Sequence, residues 1–168
     1  MHGNDAIGPT AIAPRDLESL EHALAIARER RTALESEARY VSWLAEACLG
    51  AGDLTRARAL AEESVALGRR IGMPTDLVYA QRALALLLIQ EGVAAGPAIH
   101  AALDDAERLI AETGATSLAP LVLFDRAELA RLVGDSGARE GAPREAKKLF
   151  TEIGAPARVQ QIEMLLAG

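Results

Sequence analysis

The segment Gly134-Asp135-Ser136-Gly137 holds the serine with the most suggestive neighbours in this 168-residue chain. A serine becomes a nucleophile when a histidine base and an orienting carboxylate converge on it, beside an oxyanion hole built into a rigid frame. Gly, Asp and Ser are also common in turns, because their side chains suit the local backbone geometry. We interpret the segment as a turn between two helices and predict no catalytic centre there.

Two histidines are placed where each could share a helix face with a carboxylate. His22 lies one turn after Glu18, and His100 lies one turn before Asp104. Two ligands make a weak metal site, whereas a surface hydrogen bond or ion pair needs only the two side chains. The single cysteine, Cys48, leaves too few thiolates for a cysteine-rich zinc site and suits a hairpin core. The sequence predicts neither a metal site nor a reactive thiol.

Nucleotide-binding motifs are absent from the sequence, both the Gly-x-x-x-x-Gly-Lys-Ser/Thr loop and the Gly-x-Gly-x-x-Gly turn. Five arginines cluster in the last turns of predicted helices, where the helix dipole favours cations: Arg28, Arg30, Arg31, Arg69 and Arg70. The 18 basic and 24 acidic residues give a formal charge of −6, which repels the phosphate backbone. We therefore predict no enzyme, no cofactor and no nucleic-acid partner.

Five residues form the candidate interaction surface: Tyr40, Trp43, Tyr79, Gln81 and Arg82. Aromatic side chains dominate interface hot spots, so the first three could line a peptide groove, although packing in the core is the alternative. The last two share one central helix with Gln90 and could instead hold a small ligand in a groove. Protein binding is the leading hypothesis and a small-ligand receptor is the second.

The elements that must position these residues are helices. Half of the residues are hydrophobic but only 3% are aromatic, a composition typical of closely packed helices. Glycines recur at intervals of 20, 20, 22, 20 and 20 residues, at Gly52, Gly72, Gly92, Gly114, Gly134 and Gly154. Because glycine readily takes the left-handed conformation that closes a helix, the series predicts successive helices of similar length.

Small residues repeat on the same frame, which gives a period of 40 to 42 residues per helix pair. They lie seven or eight residues before the glycines, at Ala45, Ala85, Ala127, Ser64, Ala106 and Ala146. Helices approach closely only where side chains are short, so we expect these positions to mark helix crossings. Such self-similarity predicts a right-handed α-solenoid of antiparallel helix pairs.

About eight helices follow from this frame, over 14–31, 34–50, 54–71, 76–91, 97–113, 118–133, 143–153 and 156–166. Residues 1–13 are predicted to be a flexible leader, and residues 14–168 a single repeat domain. Five prolines can fall in first turns, where a missing N–H costs little: Pro14, Pro97, Pro120, Pro143 and Pro156. The helix over 76–91 is apolar around most of its circumference and should be the best buried.

The Gly52-Asp53 turn, followed by the helix that runs from Leu54 to Leu67, resembles a tetratricopeptide-type hairpin, although the period exceeds that family's usual 34 or so residues. The ending from Ala146 to Pro156 resembles the carboxy-terminal repeats of MalT-like and LuxR-type regulators and of ATPases fused to adenylate cyclases. The resemblance implies a non-catalytic protein-binding module, or alternatively the ligand-sensing array of a MalT-like regulator. It also implies a bacterial signalling or transcription-regulating protein, of which this chain is a fragment or a shortened relative.

The partner expected from this sequence is a protein or peptide, in the cytoplasm and away from membranes. The longest apolar run, residues 83–89, is far shorter than the roughly 20 residues that span a bilayer. A second copy of the chain, in a homodimer, is the alternative partner, because Leu17, Leu20 and Leu24 give the first helix an exposed apolar face with no preceding partner helix.

Overall fold

The computed structural model describes residues 14–92 and 96–167, so the predicted leader lies outside the described residues. Within those ranges the fold is all-α, and no strand is present. Two short 3-10 turns, Leu34–Ser36 and Thr116–Leu118, precede the second and the sixth helix. The eight α-helices are α1 (Pro14–Arg30), α2 (Glu37–Gly50), α3 (Leu54–Ile71), α4 (Pro74–Glu91), α5 (Gly96–Thr113), α6 (Ala119–Val133), α7 (Ser136–Ile153) and α8 (Pro156–Ala167). None of these helices is both long and apolar enough to cross a membrane.

The glycine series marks helix ends, as predicted. All six glycines have positive φ angles, between 69° and 103°, and each follows the last turn of a helix. Gly72 has φ 76° and donates its backbone N–H to the carbonyl of Gly68 at 3.0 Å, which closes α3. The regular spacing therefore reflects helices of nearly constant length.

Replacing Gly72 with alanine is expected to lower the free energy of unfolding by about 1–2 kcal/mol, because in the left-handed region a Cβ lies too close to the following carbonyl oxygen. No heavy atom lies within 4 Å of a Cβ added at Gly72, so the effect isolates backbone strain. Gly50, the last residue of α2, is the matched control, since its added Cβ also meets nothing and its φ is not positive. Gly50→Ala should stabilise the protein by about 0.5–1 kcal/mol. Urea denaturation followed by circular dichroism measures both, and equal changes would contradict this account.

Helix α7 begins at Ser136, seven residues before the predicted start, so Pro143 lies inside a helix and the first-turn prediction was wrong for it. The Asp135 side chain accepts the Ala138 backbone N–H at 3.0 Å and starts the helix there. Pro143 has no N–H to give to the preceding turn, a defect that normally disfavours a helix interior. Its ring is buried, and this burial offsets part of the cost.

Helix packing follows chain order. Each helix packs against the next one, and α4 also contacts α2 and α6. Where α3 crosses α4, a Cβ added at Gly68 would lie 2.9 Å from Leu77 Cδ1 and 3.3 Å from Leu77 Cα, so the two backbones are close. The predicted small positions are buried as such crossings require, with exposed fractions of 6% for Ala127 and 0% for Ala45, Ser64, Ala85, Ala106 and Ala146.

The apolar face of α1 is covered by the chain itself. Leu24 is buried together with Val41 and Leu67, and Leu17 and Leu20 are partly buried against the same cluster. The expectation of an exposed leucine face was therefore wrong, because α1 folds onto α2 and its neighbours. Leu17 and Leu20 stay partly exposed, and the homodimer stays a prediction.

Candidate functional site

The residues with the most obvious chemistry are used structurally. The Asp135 carboxylate caps α7 and Ser136 is the first residue of that helix. The His100 ring lies with Nδ1 3.2 Å from Arg126 Nη1, and Asp104 pairs with the same arginine. Across residues 14–92 and 96–167, no three His, Cys, Asp or Glu side chains come together in a way that could hold a metal ion.

The candidate thiol and the first arginine of the candidate basic patch are both engaged in contacts within the protein. Cys48 is buried, and burial raises the pKa of its thiol. Arg28, the first of the clustered arginines, donates to Glu37 and to Glu63, both at 2.6 Å, and thereby ties α1 to α2 and α3. A basic patch for anions is therefore not assembled at Arg28.

Tyr40, Trp43 and Tyr79 do come together, on neighbouring helices. The ring centroids of Tyr40 and Trp43 are 5.6 Å apart, and those of Trp43 and Tyr79 are 6.0 Å apart. Both pairs meet edge to face, the arrangement that the ring quadrupoles favour. All three residues are partly exposed, so the rings contribute to the surface as well as to packing.

Arg39, which the sequence analysis missed, lies at the centre of these rings. Its guanidinium carbon is 5.9 Å from the Tyr40 centroid, 5.7 Å from Trp43 and 6.0 Å from Tyr79. These distances fall at the outer edge of the cation–π range of about 6 Å. The available signal was its position one turn before Trp43, which places both on one face of α2.

Asp76, in the first turn of α4, supplies the negative charge beside this arginine. It is 2% exposed, and its Oδ1 lies 3.6 Å from Arg39 Nε, too far for a hydrogen bond. Asp76 Oδ2 and Arg39 Nε are both buried without a hydrogen-bond partner. Burial raises the pKa of Asp76, Arg39 acts to lower it, and the nearby charge of Glu35 raises it further. We call the three rings together with Asp76 the aromatic cage.

Arg82 lies in a second polar group, in the interior. Its guanidinium makes two hydrogen bonds to Asp125 on α6, at 2.6 and 3.1 Å, and its Nη1 lies 4.0 Å from Glu46 Oε1 on α2. Arg82 and Asp125 are 3% and 2% exposed. Burial raises the pKa of both Glu46 and Asp125, and the positive charge of Arg82 acts to lower both values. For Arg82, burial acts to lower the pKa, but the charges of Asp125 and Glu46 raise it overall. We call Glu46, Arg82 and Asp125 the buried ion cluster.

Gln81 and Arg82 thus require a correction, because neither belongs to an accessible surface. Gln81 is also 3% exposed, and its Nε2 donates to Asp105 Oδ2 at 3.1 Å. Helix α4 is packed by α2, α3, α5 and α6, which leaves little of its circumference open to solvent. Gln90 is exposed whereas the other two are buried, so the three polar residues do not line one open groove.

Comparisons of the chain with protein-family profiles, with curated proteins and with solved structures find no match. The site is therefore interpreted from its own side chains. Aromatic rings beside a carboxylate attract cations, and partly exposed Trp, Tyr and Arg are the residue types that carry most interface binding energy. The aromatic cage is therefore the candidate site in the described part of the chain.

Proposed function

We propose that this chain is a non-catalytic protein-binding module, built as a right-handed solenoid of tetratricopeptide-like helix pairs. The order of packing supports the proposal, because the most extensive contacts join α2 with α3, α4 with α5 and α6 with α7. In addition, α2 contacts α4, and α4 contacts α6. Stacked pairs of this kind create extended surfaces for peptides and other subunits. A cytoplasmic signalling or regulatory role, as the sequence resemblance implies, is part of the same proposal.

The observation that carries the proposal is the aromatic cage. The chain has only five aromatic residues, and three of them are gathered with Arg39 on α2 and α4, all partly exposed. Tyr and Trp carry a polar group on the ring and are often partly exposed, so it is their grouping around Arg39 that distinguishes these three. Their partial exposure on neighbouring helices suits a surface that buries them on binding.

Selection of random displayed peptides on the intact chain tests this function. We expect enriched peptides whose dissociation constants, measured by calorimetry, rise about tenfold or more in the Tyr79→Leu variant, as a hot-spot loss of about 1.4 kcal/mol requires. Leucine keeps apolar contact with the central core, against which Tyr79 packs. The loss should therefore reflect the missing ring.

Val133→Ala is the matched control for that experiment. Val133 is 47% exposed at the end of α6 and lies outside the aromatic cage, so peptide affinity should not change. A selection that enriches no peptide, or peptides that bind both variants like the unmodified chain, would remove the support for the proposed function.

A ligand-sensing array of the MalT type is the alternative from the sequence. Its basis was a groove lined by Gln81, Arg82 and Gln90. Because the first two are buried and engaged with Asp105 and Asp125, the structure offers that alternative no specific support.

A further inference from the structure

We propose that the aromatic cage receives a guanidinium side chain of a partner protein, in exchange with Arg39, which occupies the cage as a self-ligand in the unbound chain. This inference rests on the proposed function and specifies the chemistry of the partner. It makes Arg39 an internal competitor for the binding site. Three observations carry it.

The first observation is that Arg39 is held loosely. It donates one hydrogen bond, from Nη2 to Ser36 Oγ at 2.9 Å, while its Nε has no hydrogen-bond partner and lies 3.6 Å from Asp76 Oδ1; its side chain is 32% exposed. Arg82, by comparison, is held firmly, because it makes two hydrogen bonds to the Asp125 carboxylate and is only 3% exposed. Arg39 is therefore easier to displace toward solvent than Arg82, provided that an incoming cation takes its place beside Asp76.

The second observation is the state of Asp76. Its carboxylate is 2% exposed, one oxygen has no hydrogen-bond partner, and the other lies 3.6 Å from Arg39 Nε. A buried carboxylate strongly favours a cation that satisfies both oxygens. A guanidinium presents two parallel N–H groups that match a carboxylate, and its flat face stacks on aromatic rings, which an ammonium group does less well. The cage therefore favours arginine over lysine.

The third observation is charge. The chain carries a formal charge of −6, and Glu35 adds negative charge close to Asp76. This sign attracts a basic partner segment and steers its approach.

The contact between Arg39 and Asp76 is also imperfect, because Arg39 Nε lies 3.6 Å from Asp76 Oδ1 and the pair is not bidentate. An incoming arginine that makes two hydrogen bonds to the Asp76 carboxylate replaces this contact with a stronger one.

Trp43 is the only tryptophan of the chain, so its fluorescence reports directly on the cage. The intact chain is titrated with N-acetyl-arginine amide and with N-acetyl-citrulline amide, which has a similar shape and no charge. We expect saturable quenching with the arginine compound only. In Arg39→Ala the midpoint should fall about tenfold, because a self-ligand that fills the cage in roughly nine of ten molecules weakens apparent binding by that factor.

Further variants make the result decisive. Asp76→Asn in the Arg39→Ala background should abolish the quenching, while Arg108→Ala, which removes an exposed arginine on α5, should leave the titration unchanged. Arg39→Gln keeps more of the side chain and replaces Arg39→Ala if circular dichroism shows that the alanine variant is not folded. Equal responses to arginine and citrulline, no shift on removing Arg39 in a folded variant, or unchanged binding without the Asp76 charge would each overturn the inference.

The two proposals fail separately. If displayed peptides bind through Tyr79 but neither enrich arginine nor compete with the arginine compound, the guanidinium inference is wrong and the proposed function stands. If the arginine compound binds as expected and no peptide does, the cage is a cation site and the protein-binding function loses its support.

Discussion

Asp125→Ala is expected to lower the free energy of unfolding by about 3–5 kcal/mol, as removing one partner of a buried ion pair does. The substitution leaves the Arg82 guanidinium, 3% exposed, without the carboxylate that accepts its hydrogen bonds at 2.6 and 3.1 Å. Glu46 lies 4.0 Å from Arg82 and can compensate in part, which places the effect toward the lower end of that range. Urea denaturation followed by circular dichroism gives the value.

The control for this prediction is the triple variant Arg82→Leu, Asp125→Leu and Glu46→Leu, since Glu46 Oε1 is buried and would otherwise lose its cation. Replacing a buried ion pair or triad by apolar residues of similar size is often neutral or stabilising, so the triple variant should be more stable than Asp125→Ala alone. Glu112→Ala, which breaks an exposed pair with Arg108, should change stability by less than about 1 kcal/mol. A small effect of Asp125→Ala, equal to that of Glu112→Ala, would show that the buried ion cluster is not fully desolvated.

The helix ends could be predicted from the sequence because their physical cause is local. Glycine takes positive φ at the least cost, so the spacing of Gly52 to Gly154 records helix length without any knowledge of packing, although Arg31 and Ala33 after α1 also have positive φ. The start of α7 shows the limit of such rules. Pro143 alone favours a first turn, but the Asp135 cap starts the helix earlier and the rest of the helix tolerates the proline.

The polar groups could not be predicted in the same way, because their partners are distant in sequence. Arg82 and Asp125 are 43 residues apart, one more than the repeat interval between their helices, so the period was a usable signal that a charge on α4 would face one on α6. Arg39 on α2 and Asp76 on α4 likewise belong to helices that contact each other with one helix between them in the chain. An arginine on a helix normally faces water. Only the packing of α2 against α4 places Arg39 among the rings of the aromatic cage.

Phe150→Ala tests the architecture itself. Phe150 is 5% exposed, packs its ring 5.9 Å from that of Phe124, and forms a hydrophobic cluster with Ala146 and Ile162. Replacing a buried phenylalanine by alanine costs about 3–5 kcal/mol through lost burial and the cavity left behind. In the described part of the chain, this cluster contains no residue from α1 to α5. The damage should therefore fall on the C-terminal helices.

Hydrogen exchange measures where stability is lost after that substitution. In a stack of helix pairs each unit contacts only its neighbours, so amides of α7 and α8 should exchange faster while those of α2 to α4 keep their protection. Leu103→Ala is the central counterpart, since Leu103 is fully buried in the largest cluster, and it should lower protection across α4, α5 and α6. In one closed bundle, a single cooperative core would make Phe150→Ala lower protection equally in all helices. That outcome would show that the helix pairs do not form a solenoid, and the extended binding surface inferred from such stacking would lose its basis.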